Sequence, residues 1–164
     1  MSETVEYRVI QKYREHLGRD DLTEDVQIVY RVAGGMPHQR IEHEFRLSGG
    51  GKAEVKMQDA LRDIPAQKAA GELGQTETRD LFQKVESGLD RLVPRSEARF
   101  LPDSVIGMIT VEVDGEAVTL FFEPEEEVRP ADYTGAVSPM TEVMQRVGQV
   151  SKQLLESGKE QGDE

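Results

Sequence analysis

Residues 105–124 read VIGMITVEVDGEAVTLFFEP, and this stretch is the clearest structural element in the sequence. Apolar residues alternate on both sides of Asp114-Gly115, a dipeptide that favours a two-residue turn between antiparallel strands. The turn predicts these opposite pairs: Val113 and Glu116, Val111 and Val118, Ile109 and Leu120, Gly107 and Phe122, Thr110 and Thr119, Met108 and Phe121. Because both faces are largely apolar or neutral, we expect this hairpin to lie at the centre of a sheet or to be covered on both sides.

A second group of strands precedes this hairpin along the chain. Alternation begins at Val26, stops at the loop AGGMPHQ of residues 33–39, resumes at Ile41, and resumes again after the glycines at 49–51. One face of these three segments is apolar and the other is polar or charged, which is typical of half-buried strands. The apolar positions are Val26, Ile28, Tyr30, Val32, Ile41, His43, Phe45, Leu47, Ala53, Val55 and Met57.

The run Gly49-Gly50-Gly51-Lys52 suggests either a phosphate-binding loop or a turn. Pairing Leu47 with Ala53, Phe45 with Val55 and His43 with Met57 keeps the apolar residues on one face and leaves residues 49–51 as the loop. A Walker phosphate loop needs an earlier glycine where Arg46 stands, and Ser or Thr where Ala53 stands. Glycine also supplies the positive φ that a three-residue hairpin loop requires. The sequence therefore predicts a turn.

Helical spacing marks three other segments. Residues 1–25 form a helix-like extension, with Gly18 as its stop, although Val5, Tyr7 and Val9 also alternate as in a short strand. Residues 60–76 are not one of these three segments; they are low in hydrophobicity, and we expect a short helix and loops there. Thr76 is expected to cap a helix that runs to about Val93, and Ser138-Pro139 to begin a helix that ends near residues 157–158.

These elements predict an α+β fold, in which an about five-stranded, largely antiparallel sheet built from hairpins is covered by two or three helices. Residues 26–157 are expected to form the single domain and residues 158–164 a polar tail.

Composition narrows the possible partners. The 164 residues carry a formal net charge of −12 and no cysteine, and no apolar run approaches the length of a membrane span. We expect a cytoplasmic protein with neither nucleic acid nor membrane as a partner, because neutralising phosphates needs a basic surface. Basic side chains outnumber acidic ones in residues 26–62. That excess is expected to be part of a mixed solvated sheet face, with attraction of an acidic partner as the alternative.

Few residues suggest catalysis or metal binding. His38 and His43 are five residues apart, which does not fit the helical HExxH zinc motif, so His43 is expected to be a hydrogen-bonded histidine on the inner sheet face. Glu42 and Glu44, interleaved with Arg40 and Arg46, are expected to form cross-strand ion pairs. The acidic run at Glu123 and residues 125–127 is expected to be a solvated loop. We predict no catalytic residue, no metal site and no cofactor, and hence not an enzyme.

Three stretches together resemble the emfourin family of proteinaceous inhibitors of thermolysin-like zinc metallopeptidases. They are VQIVYRVAGG, which ends in Gly34-Gly35, the LPDSVIGMITVEVDGEAVTLFFEP hairpin, and the helix that starts at Ser138-Pro139. The resemblance is one of layout over about residues 26–155, and it implies a protein-binding domain that inhibits such a peptidase. The alternative is a non-inhibitory interaction or scaffold domain that uses an exposed sheet edge or helix face.

Within the loop AGGMPHQ, Met36 offers a bulky apolar side chain of the kind that thermolysin-like peptidases favour after the scissile bond. Gly34 and Gly35 let the backbone come close to a partner, and Pro37 fixes φ. We therefore expect Gly34, Gly35, Met36 and Pro37 to form the partner-binding site. A plain connection between two strands, with Met36 folded back onto the sheet, is the alternative.

Overall fold

A computed structural model of the protein describes residues 5–19, 22–34, 41–59, 64–89, 105–122 and 139–162. In chain order its elements are α1 (Val5–Gly18), β1 (Val26–Gly34), β2 (Ile41–Ser48), β3 (Lys52–Asp59), β4 (Ile64–Glu72), α2 (Gln75–Gly88), β5 (Val105–Val113), β6 (Glu116–Phe122) and α3 (Pro139–Gly162). The six strands form one sheet in the order β4-β3-β2-β1-β5-β6, and every neighbouring pair is antiparallel. The α+β class is confirmed, with six strands rather than about five.

The core lies between one face of the sheet and the three helices. α1 packs on β5 and β6, α3 packs on β3 and β4, and α2 contacts both helices. Burial follows the predicted alternation, since Val26, Ile28, Tyr30 and Val32 of β1 are all buried. Each such side chain contributes about 1.5–3 kcal/mol by leaving water, so the alternating pattern fixes which face the helices cover.

The hairpin of β5 and β6 has the register that the sequence predicts, pair for pair. Asp114 (φ 52°) and Gly115 (φ 85°) both have positive φ, as a two-residue type I′ turn requires. The expected central place of the hairpin is wrong, because β6 is an edge strand of the described sheet. Ala117 and Thr119 are exposed on its outer face. Alternation fixes which residues share a face, but it does not fix which strand lies at the edge.

The glycine run is a turn, and β2 and β3 pair in the predicted register. Gly51 has a φ of 97° and lies close to the Leu73 carbonyl, so a side chain there would be strained and would collide with the backbone. Gly49 lies against the backbone of Thr23, and Gly50 against the side chain of Glu24. Gly49 and Gly51 thus have a local structural reason, whereas the flexible Glu24 side chain can move away from position 50.

The expectation of a short helix and loops over residues 60–76 is wrong, because Ile64–Glu72 form strand β4. The strand has no apolar period of its own, since its inner positions are Gln67, Ala69 and Gly71. Ala69 and Gly71 are small, and at Gly71 helix α3 lies close to the strand. A Cβ on Gly71 would lie 2.6 Å from Leu154 Cδ2.

The helices agree with the sequence except at their ends. Residues 5–18 are helical, which excludes the strand alternative. Thr76 is not the cap of α2, because the helix begins at Gln75 with Gly74 as its N-cap. α3 begins at Pro139 as predicted and continues to Gly162, past the expected end. The predicted end of α2 near Val93 is wrong, because the α-helix ends at Gly88 with Leu89 as its C-cap. The acidic loop lies outside the described residues. None of the described helices is long and apolar enough to cross a membrane.

Candidate functional site

One end of the sheet carries the predicted partner-binding loop. At this end Gly34 closes β1 and pairs with Ile41 of β2 on one side and Val105 of β5 on the other. Of the four residues predicted to bind a partner, Gly34 lies in the described structure. Gly35, Met36 and Pro37 lie outside it, as does His38, so the expectation for these residues stays a prediction.

Gly34 has a conformation that favours glycine. Its φ of 142° is in a region that L side chains rarely adopt. β5 pairs with β1 from Val26 to Gly34 and β2 pairs with it from Gln27 to Gly34, so the backbone is fixed on both sides up to Gly34. A loop that starts from such a position loses little additional entropy at its base when it binds.

An aromatic layer supports this end of the sheet from the helix side. The Tyr30 ring lies 5.5 Å from the His43 ring in an edge-to-face arrangement and 6.2 Å from the Phe122 ring. Gly107 of β5 lies directly against the Phe122 ring, which leaves no room for a Cβ there. The base of the loop therefore rests on a closely packed core.

His43 is the basic side chain within this layer. Its Nε2 lies 2.8 Å from Ser151 Oγ of α3, and burial lowers the pKa of His43 to about 4. A serine beside a histidine is also the start of a nucleophile–base pair, but Ser151 is fully buried. The prediction of a hydrogen-bonded inner histidine is confirmed, and the pair holds β2 to α3.

The outer face of the sheet, opposite the helices, is charged over β1, β2 and β3. Arg31 Nη2 lies 3.3 Å from Glu42 Oε1, and Lys56 Nζ lies 3.9 Å from Glu44 Oε2. The predicted cross-strand ion pairs of Glu42 and Glu44 are thus present, with one partner on β1 and the other on β3. Arg40 lies outside the described residues.

Helix α1 is attached to the turn end of the β5–β6 hairpin by charge. Arg8 Nη2 lies 2.9 Å and Lys12 Nζ 3.2 Å from the carboxylate of Glu116. The hydrogen bond that Lys12 donates, together with the charge of Arg8, lowers the pKa of Glu116. His16 of the same helix faces Asp114 at 3.6 Å. These contacts fix the N-terminal extension to the sheet, away from the end that carries Gly34.

Among the described residues no group of three or more histidine, aspartate or glutamate side chains is arranged to hold a metal ion. The His43–Ser151 contact was not predicted, because the two residues are 108 positions apart and neither belongs to a local motif.

Neither a model of a known protein family nor a curated protein matches this chain.

Proposed function

We propose that the protein is a protein-binding domain that inhibits a thermolysin-like zinc metallopeptidase through the loop that leaves the sheet at Gly34. The contact residues in this proposal are Gly34, Gly35, Met36 and Pro37. Met36 supplies the apolar anchor, the glycines allow close backbone approach, and Pro37 limits the freedom of the loop.

The observation that carries the proposal is the pairing of Gly34 with both Ile41 and Val105. An inhibitory loop has to occupy a substrate cleft without paying a large entropy cost, and a base fixed by two strands reduces that cost. The layout resemblance to emfourins supports the choice of enzyme class. It covers the strand that ends in Gly34-Gly35, the β5–β6 hairpin and α3.

A non-inhibitory interaction or scaffold domain is the second candidate. The outer sheet face favours it, because Glu42, Arg46, Lys52 and Lys56 are exposed and none of the described helices packs on that face. This candidate requires partner binding without loss of peptidase activity, and it needs no contribution from Met36.

The two candidates are separated by comparing Met36→Asp with a matched control. An aspartate in an apolar enzyme subsite is unpaired, so Met36→Asp is expected to weaken inhibition at least about tenfold, or about 1.4 kcal/mol. Ala117→Asp introduces the same charge at an exposed position of β6 near the opposite end of the sheet, and it is expected to inhibit like wild type. If wild type inhibits and Met36→Asp inhibits equally well, the contact is not made by this loop.

A further inference from the structure

Strand β4 is an edge strand of the described sheet and has a defined hydrogen-bonding pattern. The Leu73 N–H donates to the Gly51 carbonyl at 2.8 Å, and the register with β3 is unbroken from Glu72 back to Gln67. Since main-chain groups alternate in direction along an antiparallel strand, those of residues 67, 69, 71 and 73 face β3. Those of Lys68, Ala70 and Glu72 therefore face away from the sheet. No strand in the described part of the chain pairs with this edge.

The side chains at the same three positions are accessible. Lys68, Ala70 and Glu72 are all exposed and lie on the face opposite the helices. The cross-strand neighbour of Lys68 is Lys56, a like charge, whereas that of Glu72 is Lys52. Like charges placed opposite each other in a sheet are unfavourable, so a carboxylate on the free side of Lys68 would be stabilising.

This pattern is complementary to itself, and we propose that two copies of the chain pair through β4 about a two-fold axis at Ala70. In this arrangement Lys68 lies opposite Glu72 of the second copy, and Glu72 opposite Lys68 of the second copy. The outward N–H and C=O groups of all three residues then pair across the axis. The contact is isologous and joins the two sheets into one.

Charge selects this register over its neighbours. A two-fold axis at Lys68 or at Glu72 places a like charge opposite itself, and an axis at Ala69 or Gly71 forms no ion pair. The side chains at 66, 69, 70 and 71 are too small to obstruct the approach of a second strand. A lysine on an edge strand also discourages indiscriminate pairing, so Lys68 favours partners that carry a carboxylate at the matching position.

An open groove beside this edge contains apolar side chains among a mainly polar lining. It has a volume of about 210 Å³ and is lined in part by Leu73 and Leu154, which are both half-buried. In the proposed pairing, Leu73 lies opposite Gln67 of the second copy, so the main-chain contact also covers part of the groove. Burial of apolar area on the two leucine side chains favours association, and the polar lining adds nothing to this gain.

Sedimentation equilibrium of the full chain at physiological salt tests the pairing. Wild type is expected to form a dimer at concentrations up to about 200 µM, and Lys68→Glu and Glu72→Lys each to weaken it at least about tenfold. An equimolar mixture of the two variants is expected to form a heterodimer, because every facing pair is again of opposite charge. Arg46→Glu reverses a charge on the same face two strands away, and it is expected to leave the dimer unchanged.

Circular dichroism establishes that each variant is folded, and the charge-swapped mixture controls for damage by either substitution. A wild-type chain that stays monomeric throughout this range would overturn the proposal. So would a dimer whose dissociation constant is the same in Lys68→Glu, or folded single variants that fail to associate when mixed. The proposal does not depend on peptidase inhibition.

Discussion

His43 and Ser151, which are 108 residues apart, meet at 2.8 Å between β2 and α3. The contact joins β2 to α3. It lies near the end of β1 that bears Gly34, because His43 is opposite Val32 of β1. Because His43 is kept neutral by burial, the contact makes the stability of this region depend on pH.

The free energy of unfolding is expected to fall as the pH drops from about 6.5 to about 4. The pKa of His43 is lowered from 6.5 to about 4, so in this window the unfolded chain binds a proton that the native chain does not. The stability lost through this group is as much as about 3 kcal/mol and is complete below pH 4. His43→Gln removes the titration but keeps a polar partner for Ser151. Urea unfolding should therefore show a steeper pH dependence for wild type, and equal slopes would contradict the assignment.

Tyr13→Phe is expected to destabilise the fold by about 0.5–1.5 kcal/mol, because it removes a buried hydrogen bond to the Phe82 carbonyl. The Tyr13 hydroxyl donates to that carbonyl at 2.5 Å, and the two rings stack at 5.8 Å. Tyr7→Phe makes the same chemical change at a half-exposed position of the same helix and should cost much less. Chemical denaturation measures the free energy of unfolding of both variants, and the two losses relative to wild type are compared. Equal effects would mean that α1 is not held by this bond.

Glycine-to-alanine substitutions at positions 51 and 148 are expected to change stability in opposite directions. Gly51→Ala should destabilise by at least about 1 kcal/mol, since its φ of 97° disfavours L side chains and the Leu73 carbonyl lies close. Gly148 lies inside α3 with open space around its Cβ position, so Gly148→Ala should stabilise by up to about 1 kcal/mol. Thermal unfolding measures both. A neutral Gly51→Ala would show that the turn does not require glycine there.

The two hairpins could be predicted from sequence because short turns and local alternation determine their registers. Val111 faces Val118, and Phe45 faces Val55, whatever the rest of the chain does. Strand β4 could not be predicted in this way. The small inner residue at Gly71 is explained by Leu154, which lies 83 positions later and packs against it only in the folded chain.

The candidate site, like the fold, could be predicted only where the signal is local in the sequence. The glycine that ends β1 is visible in the sequence, and the structure adds that Gly34 is paired on both sides. The His43–Ser151 contact could not be predicted, because it depends on where α3 crosses the sheet. Lys68 and Glu72 become a matched pair of charges only once their segment is known to be an edge strand.

The most direct test of the proposed function is a titration of an active thermolysin-like metallopeptidase with the wild-type chain, with residual peptidase activity as the measurement. We expect activity to fall in proportion to added protein, with an end point near one chain per enzyme at enzyme concentrations well above the dissociation constant. If the protein dimerises as inferred above, the end point still counts one site per chain, because the β4 edge is distinct from the Gly34 end of β1. Undiminished peptidase activity in the presence of a large excess of folded protein would contradict the account.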